Sequence, residues 1–229
     1  TGDAYAAQCV ERKGKFYWFV STFHKEDANS KGGAAIGVAV SDSPTGPFKD
    51  AIGKALVVNE MTTDMKHSWD DIDPTVFVDD DGQAYLFWGH SSCKWVKLKK
   101  NMIEMDGPIN TFKPKNYIEG PWVYKRKNLY YLVYPSVGTK PEMIEYCTAP
   151  SIAGPWTHQG IIQENVKNSF TTHPGIIDYK GKSYFFYHNG SLPTGGSYRR
   201  SVCVDYMYYN EDGTIQKIVQ TTEGVKKIK

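Results

Sequence analysis

Four times along the 229-residue chain a turn residue stands between two short apolar strands, the second of them strongly aromatic. This recurrence restricts the fold more than any single motif does. The turn positions are Gly14, Gly82, Asn128 and Gly181. The strands that follow are Lys15-Phe16-Tyr17-Trp18-Phe19-Val20, Gln83-Ala84-Tyr85-Leu86-Phe87-Trp88, Leu129-Tyr130-Tyr131-Leu132-Val133-Tyr134 and Lys182-Ser183-Tyr184-Phe185-Phe186-Tyr187. Before the turns come Gln8-Cys9-Val10, Thr75-Val76-Phe77-Val78, Trp122-Val123-Tyr124 and Ile176-Ile177-Asp178. Each unit is thus a hairpin closed by a Gly or Asn that tolerates positive φ. The turns lie 68, 46 and 53 residues apart, which leaves room for two more strands per unit. Units of about 40 to 50 residues with four strands are spaced like propeller blades. The expectation is an all-β fold with about four blades of a β-propeller.

Two turn-rich connectors, Ser43-Pro44-Thr45-Gly46-Pro47-Phe48 and Pro150-Ser151-Ile152-Ala153-Gly154-Pro155-Trp156, look like copies of one corner. No segment sustains a 3.6-residue apolar period, and even Val96 to Met105 suits a strand and turn as well as a helix. The 16 Tyr, 10 Phe and 6 Trp, with 21 Gly and 12 Pro spread along the chain, suit many short strands and tight turns. Residues 1–229 are long enough for one domain with a sizeable core, and no linker divides them.

The 27 Lys+Arg nearly balance the 25 Asp+Glu, and no basic stripe runs along any segment beyond the short Lys226, Lys227, Lys229 tail. Nucleic acid is therefore not an expected partner. Nor is a membrane, since no run of about 18 apolar residues exists. The start, Thr-Gly-Asp-Ala-Tyr, is neither a signal peptide nor an initiator Met, and a processed or truncated N-terminus is expected. Cys9, Cys93, Cys147 and Cys203 are far apart with no C-x-x-C pair. They are expected as small core residues, not as zinc ligands or a disulfide framework.

In a propeller the innermost strands run along the central channel, so their first residues converge at one mouth. Counting nine residues back from each turn position gives Tyr5, Asp73, Glu119 and Thr172, with His173 one step on. Two carboxylates at equivalent blade positions would face each other across that mouth. Asp73 precedes Pro74, which favours an extended Asp at a strand start. Glu119 precedes Gly120-Pro121-Trp122, where Gly permits a bend and Trp supplies a flat apolar wall. Each acid also has a plain structural reading, since Asp-Pro and Glu-Gly-Pro open turns. Their shared place in the repeat favours the functional one.

Ile72-Asp73-Pro74-Thr75-Val76-Phe77-Val78-Asp79-Asp80-Asp81-Gly82 with Tyr85-Leu86-Phe87-Trp88-Gly89, and Ile118-Glu119-Gly120-Pro121-Trp122-Val123-Tyr124-Lys125, resemble the two internal motifs of glycoside hydrolase family 43. Ala35-Ile36-Gly37-Val38-Ala39-Val40-Ser41-Asp42-Ser43-Pro44 and Tyr198-Arg199-Arg200-Ser201-Val202 extend the resemblance over essentially the whole chain. It implies a five-bladed propeller and inverting cleavage of xylosides or arabinofuranosides in plant cell-wall polysaccharides or their oligosaccharides. It also implies that Glu119 protonates the departing oxygen while Asp73 orients it and keeps it protonated. A nearby negative charge raises a carboxyl pKa, so the physics is consistent with that division.

Arg200 matches the family's strand arginine near the pocket, where it would pair with Asp73 or a sugar hydroxyl; a solvated strand arginine is the alternative. His173 matches a histidine beside the central channel, near a structural calcium in some members; a satisfied buried histidine is the alternative. No H-E-x-x-H or comparable spacing supports a catalytic metal, and no cofactor is expected to be required. Trp122, Tyr5, Trp69 and Phe170 are candidate stacking surfaces for a carbohydrate partner.

An inverting glycosidase also needs a carboxylate about 6.5–9.5 Å from the acid to activate water. The family supplies it as an Asp before Pro in the first blade, and Asp73-Pro74 is the one Asp-Pro pair here. The expectation is therefore that the first blade and its base lie before residue 1, and that the chain alone is inactive. Asp3 is a candidate for lining the pocket, and less so for the base. A non-catalytic carbohydrate-binding propeller is the alternative reading, and a protein-interaction scaffold a third. Periplasmic or secreted localisation is expected.

Overall fold

The computed structural model describes residues 4–26, 31–62, 67–136 and 141–227. The described elements are β-strands apart from one short 3-10 turn, Asn59–Met61. They form two compact units, residues 1–113 with 119–121, and residues 114–118 with 122–229.

The first unit holds two blades. One is β1 (Tyr5–Arg12), β2 (Lys15–His24), β3 (Gly33–Ser41) and β4 (Lys49–Asp50), antiparallel in that order, with β5 (Val57–Val58) also paired to β3. The other is β6 (Thr75–Val78), β7 (Ala84–Trp88), β8 (Cys93–Leu98) and β9 (Asn110–Phe112). The segment from Val96 is thus strand and turn. Phe19, Ile36 and Val38 of one sheet meet Val76, Leu86, Trp88 and Val96 of the other in a single buried cluster. Each large apolar side chain so removed from water stabilises the unit by about 1.5–3 kcal/mol.

The second unit repeats the plan with β10 (Trp122–Arg126), β11 (Leu129–Ser136), β12 (Met143–Ala149) and β13 (Thr157–Gln163). Its other sheet has three strands, β14 (Gly175–Tyr179), β15 (Lys182–Asn189) and β16 (Ser201–Met207), where the sequence suggested enough strand for four. Residues beyond β16 instead pack back on the unit. Ile215 N–H donates to the Tyr146 hydroxyl at 3.0 Å, and Ile218 N–H to the Ile162 carbonyl at 2.7 Å. Both Ile215 and Ile218 join a core with Tyr131, Val133, Ile176 and Phe185. Those backbone donors are satisfied across the unit, not in a fourth strand.

The hairpin turns carry the expected left-handed residues: Lys13-Gly14, Gly82 and Lys180-Gly181 all have positive φ. In the third turn the left-handed residue is Lys127, where the sequence pointed to Asn128. The two corners are structural copies. Gly46 N–H donates to the Ser43 carbonyl and Gly154 N–H to that of Ser151, each Gly precedes a cis proline, and Phe48 or Trp156 packs over it. Of the four cysteines, Cys93 and Cys147 are buried, Cys203 is partly so and Cys9 is exposed, so burial accounts for two of them fully.

Candidate active site

Asp73 sits at the head of β6 in the first unit, 4 % exposed. Its backbone is left-handed, φ 59°, where the following proline led us to expect extended chain. Tertiary hydrogen bonds account for the difference. Asp73 N–H donates to Ser21 Oγ of β2 at 2.7 Å, while its Oδ2 accepts the Gly120 N–H at 3.2 Å. The preceding segment is laced to the end of β7, with Gly89 N–H on the Ile72 carbonyl and His90 N–H on that of Asp70, both at 2.8 Å. Gly120, at φ 55°, makes the bend that presents its N–H to Asp73. A carboxylate oxygen of Asp73 and one of half-buried Glu119 lie within 4.8 Å of each other. At that range the charge on one acid bears directly on the ionisation of the other.

Beside this pair His67 and Trp69 stack with centroids 4.6 Å apart, and His90 approaches both rings edge-on. Trp69 is 47 % exposed, so the stack offers an open aromatic face. Buried Asp70 fixes it from below, accepting the His67 N–H at 3.2 Å and placing Oδ1 3.8 Å from His90 Nδ1. Burial pushes the His90 pKa down, against the opposing charges of Glu119 and Asp70. Burial also raises the pKa of Asp71, although Trp88 Nε1 donates to its Oδ1 at 2.7 Å and Thr62 Oγ1 to its Oδ2 at 3.1 Å.

In the second unit the corresponding strand head is Thr172, fully buried. Next to it, half-buried His173 lies 5.8 Å from the His188 ring. Arg200 Nη1 donates to Thr171 Oγ1 at 3.0 Å and lies 3.3 Å from His188 Nε2. Phe170, 40 % exposed, meets the edge of Tyr198 at 5.6 Å. Trp122 opens β10, half-buried, with a ring atom 4.0 Å from where a Cβ on Gly175 would stand.

The sequence-derived residues therefore fall into groups. Asp73 and Glu119 come together in the first unit, with Trp69 in the aromatic stack near His90. Arg200 and His173 gather around His188 in the second unit, which also holds Phe170 and Trp122. Tyr5 is 37 % exposed on β1, meets Phe23 at 6.1 Å and pairs across the sheet with Ser21, the residue that accepts the Asp73 N–H. Asp3 lies outside the described residues. Sequence reasoning passed over His67, His90, Ser21 and His188. One signal was present: the second strands of two blades run on into a histidine at nearly the same distance from their turns, His90 after Gly82 and His188 after Gly181.

The family model for glycosyl hydrolases family 43 matches residues 1–215. A β-D-galactofuranosidase of Aspergillus niger is 34 % identical over 203 residues, 85 % of this chain and 58 % of its own length. This chain thus spans less than two thirds of that relative. An α-L-arabinofuranosidase structure from Clostridium thermocellum superposes with a TM-score of 0.79 at 34 % identity, covering 98 % of this chain and 75 % of that one. A β-xylosidase/α-arabinofuranosidase from a compost metagenome, solved with xylotriose in a calcium-free form, gives 0.80 at 28 % identity over 94 % and 73 %. With four propeller-type blades and a family match over nearly its entire length, the chain belongs to glycosyl hydrolases family 43.

Proposed function

We propose that this chain is the acid-bearing part of an inverting glycosidase that cleaves xylosidic or arabinofuranosidic bonds in plant cell-wall polysaccharides or their oligosaccharides. The observation that carries this reading is the Asp73–Glu119 pair, two acids within 4.8 Å whose relative position is set by the Gly120 N–H on Asp73. Glu119 is the general acid. Its proton passes to the glycosidic oxygen as the bond to the anomeric carbon breaks, a water that gives its proton to the base bonds to that carbon from the opposite face, and the leaving sugar departs as an alcohol. Asp73 stays charged, held by a donated N–H, and its charge keeps the neighbouring acid protonated near neutral pH. Trp69, Trp122, Tyr5 and Phe170 supply aromatic faces for sugar rings, Arg200 and His173 polar contacts, and Asp3 a further polar lining.

Glu119→Gln tests the assignment. A natural xylo- or arabino-oligosaccharide should lose most of its turnover, whereas an aryl glycoside, whose leaving group needs little protonation, should lose much less. Equal losses on both would remove Glu119 from the acid role. Because the Aspergillus relative is a galactofuranosidase, the aryl panel should include a galactofuranoside beside xylosides and arabinofuranosides. The 229 residues assayed alone should bind sugar without cleaving it, since this reading gives Asp73 and Glu119 other roles and assigns no base to this chain. Turnover by this chain would overturn that part.

We read both units as one catalytic domain that works outside the cytoplasm on a soluble or cell-wall carbohydrate. No helix among the described residues is long and apolar enough to cross a membrane. No catalytic metal or cofactor enters the proposed chemistry. A structural calcium beside His173 would need mainly oxygen ligands, and within its own unit His173 meets the imidazole of His188.

A further inference from the structure

A cavity of about 260 Å³ opens in the second unit between the turn ends of its two sheets. It is lined by Arg126 at the end of β10, Lys182 and Ser183 at the start of β15, and Tyr206, Tyr208 and Tyr209 at the end of β16. Arg126 and Trp122 are opposite ends of one strand, about 13 Å apart at the rise of a β-strand. The cavity is therefore at the far end of the blade from the residues that follow Glu119.

Two cations line this cavity, and among the described residues neither is paired with a carboxylate. The Arg126 guanidinium lies over the Tyr209 ring, 4.0 Å from its centroid, and Lys182 Nζ lies 5.0 Å from that of Tyr206. Both interactions hold the charge over an aromatic face and leave N–H donors free to turn outward. Asp178, an acid whose charge helps to raise the Tyr209 pKa, has its carboxylate engaged by Ser183 Oγ at 2.5 Å. The Tyr209 hydroxyl is spent as a donor to Tyr124 at 2.9 Å. Tyr208, by contrast, is 59 % exposed, and it stands 6.4 Å from Tyr206. The cavity thus combines the open Tyr208 ring with two cations in a volume that suits one sugar ring.

We propose that this cavity is a second, non-catalytic carbohydrate site that takes a uronic acid residue, the carboxylate-bearing sugar found as a side group on acidic polysaccharides. Arg126 and Lys182 grip the carboxylate, and exposed Tyr208 stacks on the C–H face of the pyranose. A neutral pentose lacks the group that the cations recognise. The site would tether the enzyme to charged polymer while the acid pair works elsewhere.

NMR titration of the 229-residue chain with D-glucuronic acid, D-xylose and sodium sulfate tests this. Glucuronate should shift resonances of Tyr206, Tyr208 and Tyr209 and bind at least about tenfold more tightly than xylose. Lys182→Glu, at an exposed position where folding is not at stake, should weaken glucuronate binding about tenfold or more, and Arg126→Gln likewise. Glu119→Gln should leave it unchanged. Glucuronate binding that survives Lys182→Glu, or is matched by xylose, overturns the site. Sulfate binding as tight as glucuronate at the same residues would mean a simple anion pocket and overturn the sugar assignment.

Discussion

The two strand heads Asp73 and Thr172 stand at equivalent places in two blades, and their backbones are held in the same way. Asp73 N–H donates to Ser21 Oγ and Thr172 N–H to Glu142 Oε2 at 3.0 Å, each acceptor coming from the neighbouring blade of the same unit. Their side chains differ. Thr172 Oγ1 turns inward, toward the His188 carbonyl at 3.3 Å and Gln163 Oε1 at 3.5 Å. Asp73 spends its carboxylate on Gly120, in the loop that carries Glu119. A common scaffold contact fixes where a strand begins, and the residue standing there decides what the position reaches.

The sharpest way to break this comparison is to neutralise each head. Asp73→Asn keeps the shape and an acceptor for Gly120, yet removes the charge beside Glu119. In a catalytically complete enzyme we expect kcat/KM to fall about 10²-fold or more, within the range of general acid–base effects. The basic limb of the pH–rate profile should move to lower pH, because Glu119 then gives up its proton more readily. Thr172→Val should instead lower the melting temperature and leave that limb in place. A profile unmoved by Asp73→Asn would end the tuning role, and a limb moved equally by Thr172→Val would end the contrast.

A smaller effect tests the shared scaffold contact. Ser21→Ala leaves the buried Asp73 N–H without its acceptor, which should cost about 1–3 kcal/mol by chemical denaturation. Because the left-handed Asp73 backbone depends on that bond, kcat should fall more than KM changes. A pure loss of stability with unaltered kcat would show that Gly120 alone suffices to place the carboxylate.

The smallest effect concerns Asp71, buried beside Asp70 yet without the exposed neighbours of the acid pair. Its pKa is raised in the folded state by burial, so protonation favours the folded chain. Its contribution is fully present below the ordinary aspartate pKa and is lost as pH rises through the raised value. Asp71→Asn retains an acceptor for Trp88 Nε1 and should flatten that part of the stability–pH curve. An unchanged slope would assign the dependence to other acids.

Much of this was legible in the sequence, for definite reasons. Hairpins announce themselves because glycine at a turn and alternating aromatics beside it are local signals, and a period of blade size follows from four of them. The acid pair was legible because equivalent positions in a repeat converge. What escaped depends on contacts between distant segments. Pro74 argued for an extended Asp73, and hydrogen bonds with remote Ser21 of β2 and with Gly120 overrode it. The His67–Trp69–His90 stack joins a loop to the end of β7, and no periodicity records that meeting. The fourth strand of the last blade was expected from length, but the chain after β16 satisfies its backbone on Tyr146 and Ile162 instead.

The bond from Asp73 to Ser21 also has a bearing on how such blades can be exchanged. Ser21 sits in the middle of β2, opposite Ile36 and adjacent to Phe19 at the core. A chimera that imported its first sheet from another protein would have to bring a small hydroxyl residue to that point in that register. A sheet slipped by one residue would present the wrong face, and the carboxylate would lose its aim before the hybrid lost its fold. On the proposed role of Asp73, turnover in a catalytically complete blade-swapped hybrid would therefore report on the register in which the two sheets have docked.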